Sequence, residues 1–147
     1  MKSFEKFIDA ETYAMEVSAK KLKSISIVHL FNGKSKIENE QKNTKRDFTV
    51  MDKKDEWSYG INFVMNIQNY ETPFEISYIS PKVGRIYQYF PTKEQRDNCY
   101  KELVKENFFK YVFQRDLTPE QYLKECVEPY SWSNKIKNEY RQTLIEQ

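Results

Sequence analysis

Between Trp57 and Ile67 the chain reads W-S-Y-G-I-N-F-V-M-N-I, with Trp57, Tyr59, Ile61, Phe63, Met65 and Ile67 on the odd positions. Ser58, Gly60, Asn62 and Asn66 fill the even ones, and only Val64 departs from the rule. Successive side chains of a strand point to opposite faces, so this period of two predicts a long strand with one apolar and one wet face. Such a strand belongs to an antiparallel sheet covered on one side, and Phe63 is expected to be a buried ring on the covered face.

The flanking pattern supplies partners for it. Ile25, Ile27, His29 and Phe31 alternate with Ser26, Val28 and Leu30, which predicts a central strand apolar on both faces. Asn32-Gly33 has the chemistry of a two-residue hairpin turn, and a return strand from Lys34 to Glu38 fits after it. Phe48 and Val50 mark a short strand, and Asp52-Lys53-Lys54-Asp55 a charged turn into the long one. Phe74, Ile76 and Tyr78 give the next strand; Pro81 and Gly84 turn the chain, and Arg85 to Phe90 complete a meander.

Both ends read as helical. At the start, Asp9 is expected to cap a helix with Ile8 and Tyr13 as its staple, and Met15, Ala19 and Leu22 as its apolar stripe. From Pro91 the period lengthens to about 3.6. Thr92 with Gln95 opens a helix whose stripe is Cys99, Tyr100, Leu103 and Val104. The dense run Phe108, Phe109, Tyr111, Val112 and Phe113 reads as its continuation or as a separate short helix. Thr118-Pro119-Glu120-Gln121 is a strong start signal for a helix packing Tyr122, Leu123, Cys126 and Val127, which Pro129 is expected to end. Ser131 or Ser133 then caps a last helix with Ile136, Tyr140 and Leu144 on its core side. The fold class is therefore α+β, a single domain over residues 1–147. It comprises an N-terminal helix in 1–24, an antiparallel meander of four or five strands in 25–90, and about three helices in 91–147, all packed on one face.

Length and chemistry narrow the picture further. A chain of 147 residues buries roughly 68–70% of its unfolded surface, so it needs no disulfide staples. Cys99 and Cys126 fall on apolar helix faces and are expected to be packed thiols. Charges interrupt Phe4, Phe7 and Ile8, no secretory leader is expected, and no apolar run of spanning length occurs, so the protein is expected to be cytoplasmic. Lys, Asn, Ile, Tyr and Phe make up 61 of the 147 residues, the signature of A/T-rich codons and of a low-GC bacterium, its phage or its plasmid.

Candidate chemistry is sparse. Three scattered glycines leave no phosphate-cradling loop, and two cysteines 27 residues apart with no second pair argue against a zinc site. His29 is the only histidine and, among apolar neighbours, reads as a packed ring. Asp52-x-Lys54 has nuclease-like spacing but lies in a charged turn without a partner acid. No enzyme, cofactor or metal is expected. The surplus lies elsewhere, in 23 aromatic residues and in a basic stretch, where residues 20–46 hold eight cations against two acids. Lys34, Lys36, Lys42, Lys45 and Arg46, with Tyr130 and Trp132, are the candidate contact residues; Tyr70, Tyr87 and Tyr89 also fall at strand ends or in loops. The expected function is a small non-enzymatic regulator or inhibitor that binds a protein or nucleoprotein partner. The alternatives are nucleic-acid binding through 34–46, and an enzyme with an unrecognised site.

Overall fold

The computed structural model describes residues 1–30, 47–58 and 63–146. The class is α+β, with antiparallel strands throughout. Those strands are shared between two sheets, in two compact units: Met1–Tyr70 with Asn138–Gln147, and Glu71–Lys137. The expected single meander divides at the polar connection after Ile67, because the strand ending there pairs back onto the central strand while the next one finds partners further along.

In the first unit the sheet order is β1 (Lys2–Phe4), β3 (Asp47–Asp52), β2 (Ile25–Leu30), β4 (Phe63–Ile67), so β2 is central, as its two apolar faces predict. The helix α1 (Phe7–Lys21) lies on one face. Its buried side is Phe7, Ala10, Ala14 and Ser18 rather than Met15 and Ala19, because small residues let the helix approach Ile25, Ile27, Phe48, Val50 and Met65 closely. It starts at Phe7 behind Lys6, which places Asp9 in the first turn rather than at the cap. There its charge suits the helix dipole. His29 is half-buried and stacks on Phe48, ring centroids 4.5 Å apart and planes within 10°. The short strand β1 had no pattern to announce it; it pairs with β3 from Lys2 opposite Val50 to Phe4 opposite Phe48.

The alternating run behaves differently from its pattern. Lys53–Ser58 forms a 3₁₀ turn, so Trp57 sits on a turn and is 84% exposed. Glu56 of that turn accepts a hydrogen bond from the buried hydroxyl of Ser26, which also accepts one from Asn66 Nδ2 at 3.3 Å. Tyr59, Gly60, Ile61 and Asn62 lie outside the described residues. In β4, Met65 pairs with Ile27 but Phe63 pairs with Val28, so Val64 is the extra residue of a bulge. A bulge shifts the facing of the residues beyond it. Val64 accordingly packs against the core beside Met65, and Phe63 is turned out, 43% exposed.

The second unit is built on β5 (Phe74–Ser80), flanked by β6 (Gly84–Phe90) and by β7 (Lys110–Asp116). The helix α2 (Lys93–Glu106) starts at Thr92, whose hydroxyl accepts from the Gln95 amide, and packs Leu103, Cys99 and Tyr100 on Ile76 and Tyr78. Asn107 in the left-handed region closes it, and the aromatic run beyond is the strand β7 rather than more helix. α3 (Pro119–Tyr122) opens with a complete capping box on Thr118 and Gln121. Pro129 does not end the helical run: a π turn, Leu123–Val127, and a 3₁₀ turn, Glu128–Tyr130, carry the chain into α4 (Ser131–Glu146). From Asn138 onward α4 belongs to the first unit, where Leu144 joins the core and Arg141 Nε meets both oxygens of the buried Glu11 at 2.6 Å.

The bulge makes a testable contrast between adjacent positions. Met65→Ala should cost about 2–5 kcal/mol in a denaturant melt, whereas Phe63→Ala, which truncates a half-exposed ring, should cost under about 1 kcal/mol. The reverse ranking would place the core on the wrong side of β4.

Candidate binding surface

Strand alternation divides the second sheet into two faces. Ile76 and Tyr78 point toward α2, which leaves Glu75, Ser77 and Ile79 of the middle strand on the opposite face. The registers to β6 and β7 place their neighbours in three rows: Tyr89, Glu75 and Arg115; then Tyr87, Ser77 and Phe113; then Arg85, Ile79 and Lys110. Each row has a different chemistry.

The first row is an ion-paired anchor. Arg115 donates from Nε to Glu75 Oε1 at 3.1 Å and from Nη2 to Oε2 at 2.8 Å, and Nη2 also reaches Glu125 at 2.7 Å. Glu75 is buried, and these bonds hold the guanidinium charge firmly in place, above its usual range. The Tyr89 hydroxyl is pushed far up, first by burial and then by its bond to Glu75. Burial likewise raises the Cys126 thiol, with Glu125 and Glu75 adding to it. The turn holding Glu125 and Cys126 therefore covers this end of the face, and Tyr122 nearby accepts a bond from the Thr72 amide at 3.2 Å.

The second row is open. Tyr87 and Phe113 are 54% and 55% exposed, on either side of Ser77, which is buried between them. Arg85 leans in from the third row, with Nη1 donating to Ser77 Oγ at 3.3 Å and the guanidinium carbon 5.8 Å from the Phe113 ring centre. Between Ser77 and Ile79 the β7 register slips by one residue. Tyr111 sits in that bulge at φ 52°, in the left-handed region that bulky side chains rarely adopt, and its ring is exposed.

Of the residues singled out from the sequence, Tyr130 and Trp132 are described and exposed, at 60% and 69%. They lie on the helical run from α3 into the start of α4, where Leu123, Val127 and Ile136 are exposed as well, and Lys135 Nζ stands 5.5 Å from the centre of the Trp132 ring. Tyr87 is open, while Tyr70 and Tyr89 are half-buried. Lys34, Lys36, Lys42, Lys45 and Arg46 lie outside the described residues, as does the Asn32-Gly33 turn. Sequence reading missed Phe113 and Arg115, because β7 carried no recognised strand pattern to place them opposite β5, and Arg85, whose strand was recognised, because its partner Phe113 was not placed.

Hollows occur elsewhere among the described residues. An open groove of about 600 Å³ borders Gln88, Asn98, Cys99 and Glu102, and a cavity of about 330 Å³ in the first unit is lined by Phe7, Phe48, Leu144 and Ile145. Among the described residues no group of three or more His, Cys, Asp or Glu is placed to hold a metal ion, and no helix is long and apolar enough to cross a membrane. Cys99 and Cys126 are free and half-buried, and burial raises both thiols.

Two outcomes follow from these environments. Arg115→Met leaves Glu75 buried without its cation and should cost about 3–5 kcal/mol; Glu125→Gln, at a partly exposed pair, should cost under about 1 kcal/mol. Equal costs in urea melts would mean that Glu75 is not the anchored group. Because the thiolate is the reactive form and both thiols titrate above their ordinary value, alkylation by iodoacetamide at pH 7.5 should be slower in the folded chain than in urea. Equal rates would contradict that burial.

Set against known proteins, the chain matches no family model, no curated protein and no solved structure.

Proposed function

We propose that the chain is a non-enzymatic cytoplasmic binding protein, a regulator or inhibitor that acts by occupying a protein or nucleoprotein partner. The observation that carries this reading is the exposure of Tyr130 and Trp132 on one helical run with Leu123, Val127 and Ile136. Tyr and Trp are the side chains in which interface energy concentrates, and large apolar groups left open in numbers mark contact surfaces. Trp57, more exposed still, gives the first unit an anchor of the same kind. The lysine-rich stretch from Lys34 to Arg46 adds charge suited to an acidic partner. The A/T-rich composition suits a phage or plasmid of a low-GC bacterium as the source.

The test is a pull-down from a low-GC bacterial lysate, with and without nuclease, using the wild-type chain and the Tyr130→Ala/Trp132→Ala double variant. A protein recovered after nuclease, with recovery reduced at least about tenfold by the double variant, is the expected result. Both rings are exposed, so the variant's melting temperature should not move by more than a few degrees. Recovery of no protein, or equal recovery by the double variant, would overturn the reading.

A further inference from the structure

We infer that the open face of the second sheet binds single-stranded nucleic acid, with bases stacking on Tyr87 and Phe113 and the sugar-phosphate backbone running past Arg85 and Lys110. This goes beyond the protein-partner reading and rests on other residues. The placement of the two rings and the charge beside them carry it. The two rings flank a small serine across one row of the sheet, so about twice the interstrand spacing, roughly 10 Å, separates their strands. Flat rings on the strands of one sheet face, open to solvent, are platforms on which unpaired bases stack, and here the two stand on the strands either side of β5. A duplex keeps its bases stacked on each other and presents no free base face to such rings.

Charge selects the ligand. The sheet's acids are already matched: Glu75 by Arg115, and Asp116 by Arg96, whose Nη1 lies 2.6 Å from it. Arg85 and Lys110 flank Ile79 in the next row, and among the described residues no carboxylate lies within ion-pair distance of either. Lys82 stands in the turn just beyond. The two open rows of the face are thus aromatic and cationic and contain no acid of their own, a combination suited to a polyanion bearing planar groups. Tyr111 holds its left-handed backbone on the same edge strand, with its side chain exposed.

The experiment uses the full chain and fluorescein-labelled fifteen-nucleotide oligo-dT, oligo-U and a mixed-sequence duplex, followed by fluorescence anisotropy across a salt series. Tyr87→Leu and Phe113→Leu keep an apolar side chain while removing the flat π-face. Single strands are expected to bind at least tenfold more tightly than the duplex. Each leucine variant should weaken that binding about 5- to 150-fold, the range of one lost base stack. Arg85→Gln should flatten the plot of log affinity against log salt by about 0.7. The oligo-dT and oligo-U arms tell DNA from RNA as the source, and tighter binding of either supports the proposal. Equal affinity for single strand and duplex overturns it. So does binding that survives both leucine substitutions but is lost when Lys34, Lys36, Lys42, Lys45 and Arg46 are changed to Gln, or absence of binding at micromolar protein. Loss of a protein partner in pull-downs with the leucine variants, without nucleic-acid binding, would instead assign the face to that partner and overturn the inference.

Discussion

A carboxylate withdrawn from water has to be met by a cation, and among the described residues each compact unit shows such a pair. In the second, Glu75 stands on the middle strand of the sheet and is met in bidentate fashion by Arg115 of β7. In the first, Glu11 lies on the buried side of α1 and is met by Arg141 of α4. These pairs are not where stability comes from, since the desolvation of both partners offsets most of their attraction. What they impose is exactitude of position: β7 shifted by one residue would carry Arg115 to the α2 side of the sheet and leave Glu75 alone. Register across the second sheet, and with it the alignment of Tyr87, Ser77 and Phe113, follows from that requirement.

Where a segment's pattern and its neighbours agreed, the sequence was readable. β2, β5 and β6 follow the alternation of Ile25 to Leu30, Phe74 to Tyr78 and Arg85 to Phe90, and the cap of α3 follows from Thr118 and Gln121 alone. β7 was not readable, because its two faces reverse the usual sorting. Gln114 and Asp116 point toward α2, where they meet Asp97 and Arg96, while Phe113 faces out. Polar residues bonded to a helix and an aromatic turned to solvent look like no strand at all until the partners are known. The bulge at Val64 hid in plain view, since the one break in the alternation was itself the sign that the two sides of the strand exchange there. Pro129 misled for a different reason: a π turn and a 3₁₀ turn absorb the missing amide without ending the helical path.

The candidate surfaces were legible in the same uneven way. Tyr130 and Trp132 lay outside any periodic core pattern and are exposed, which is the signal that singled them out. Ile136 and Tyr140 had perfect helical spacing with Leu144, yet only Leu144 is buried. Spacing says that residues share a face of a helix; it does not say that anything covers that face. Arg85 and Phe113 are distant in sequence and meet only through the pairing of two different strands with β5. A surface assembled by sheet register leaves almost no trace in any short stretch of chain.

The pairing of Glu11 with Arg141 also has a consequence in time. The two residues are 130 positions apart, with the whole of the second unit encoded between them. On a ribosome, Glu71–Lys137 emerges as an uninterrupted block that can close its own sheet through contacts within that block. The first unit must wait with Glu11 hydrated and one side of α1 uncovered until the turn of α4 carrying Arg141 and Leu144 has been made. Residues 1–70 thus precede the second unit in synthesis yet are completed after it, and a stall within residues 71–137 would strand them half-built.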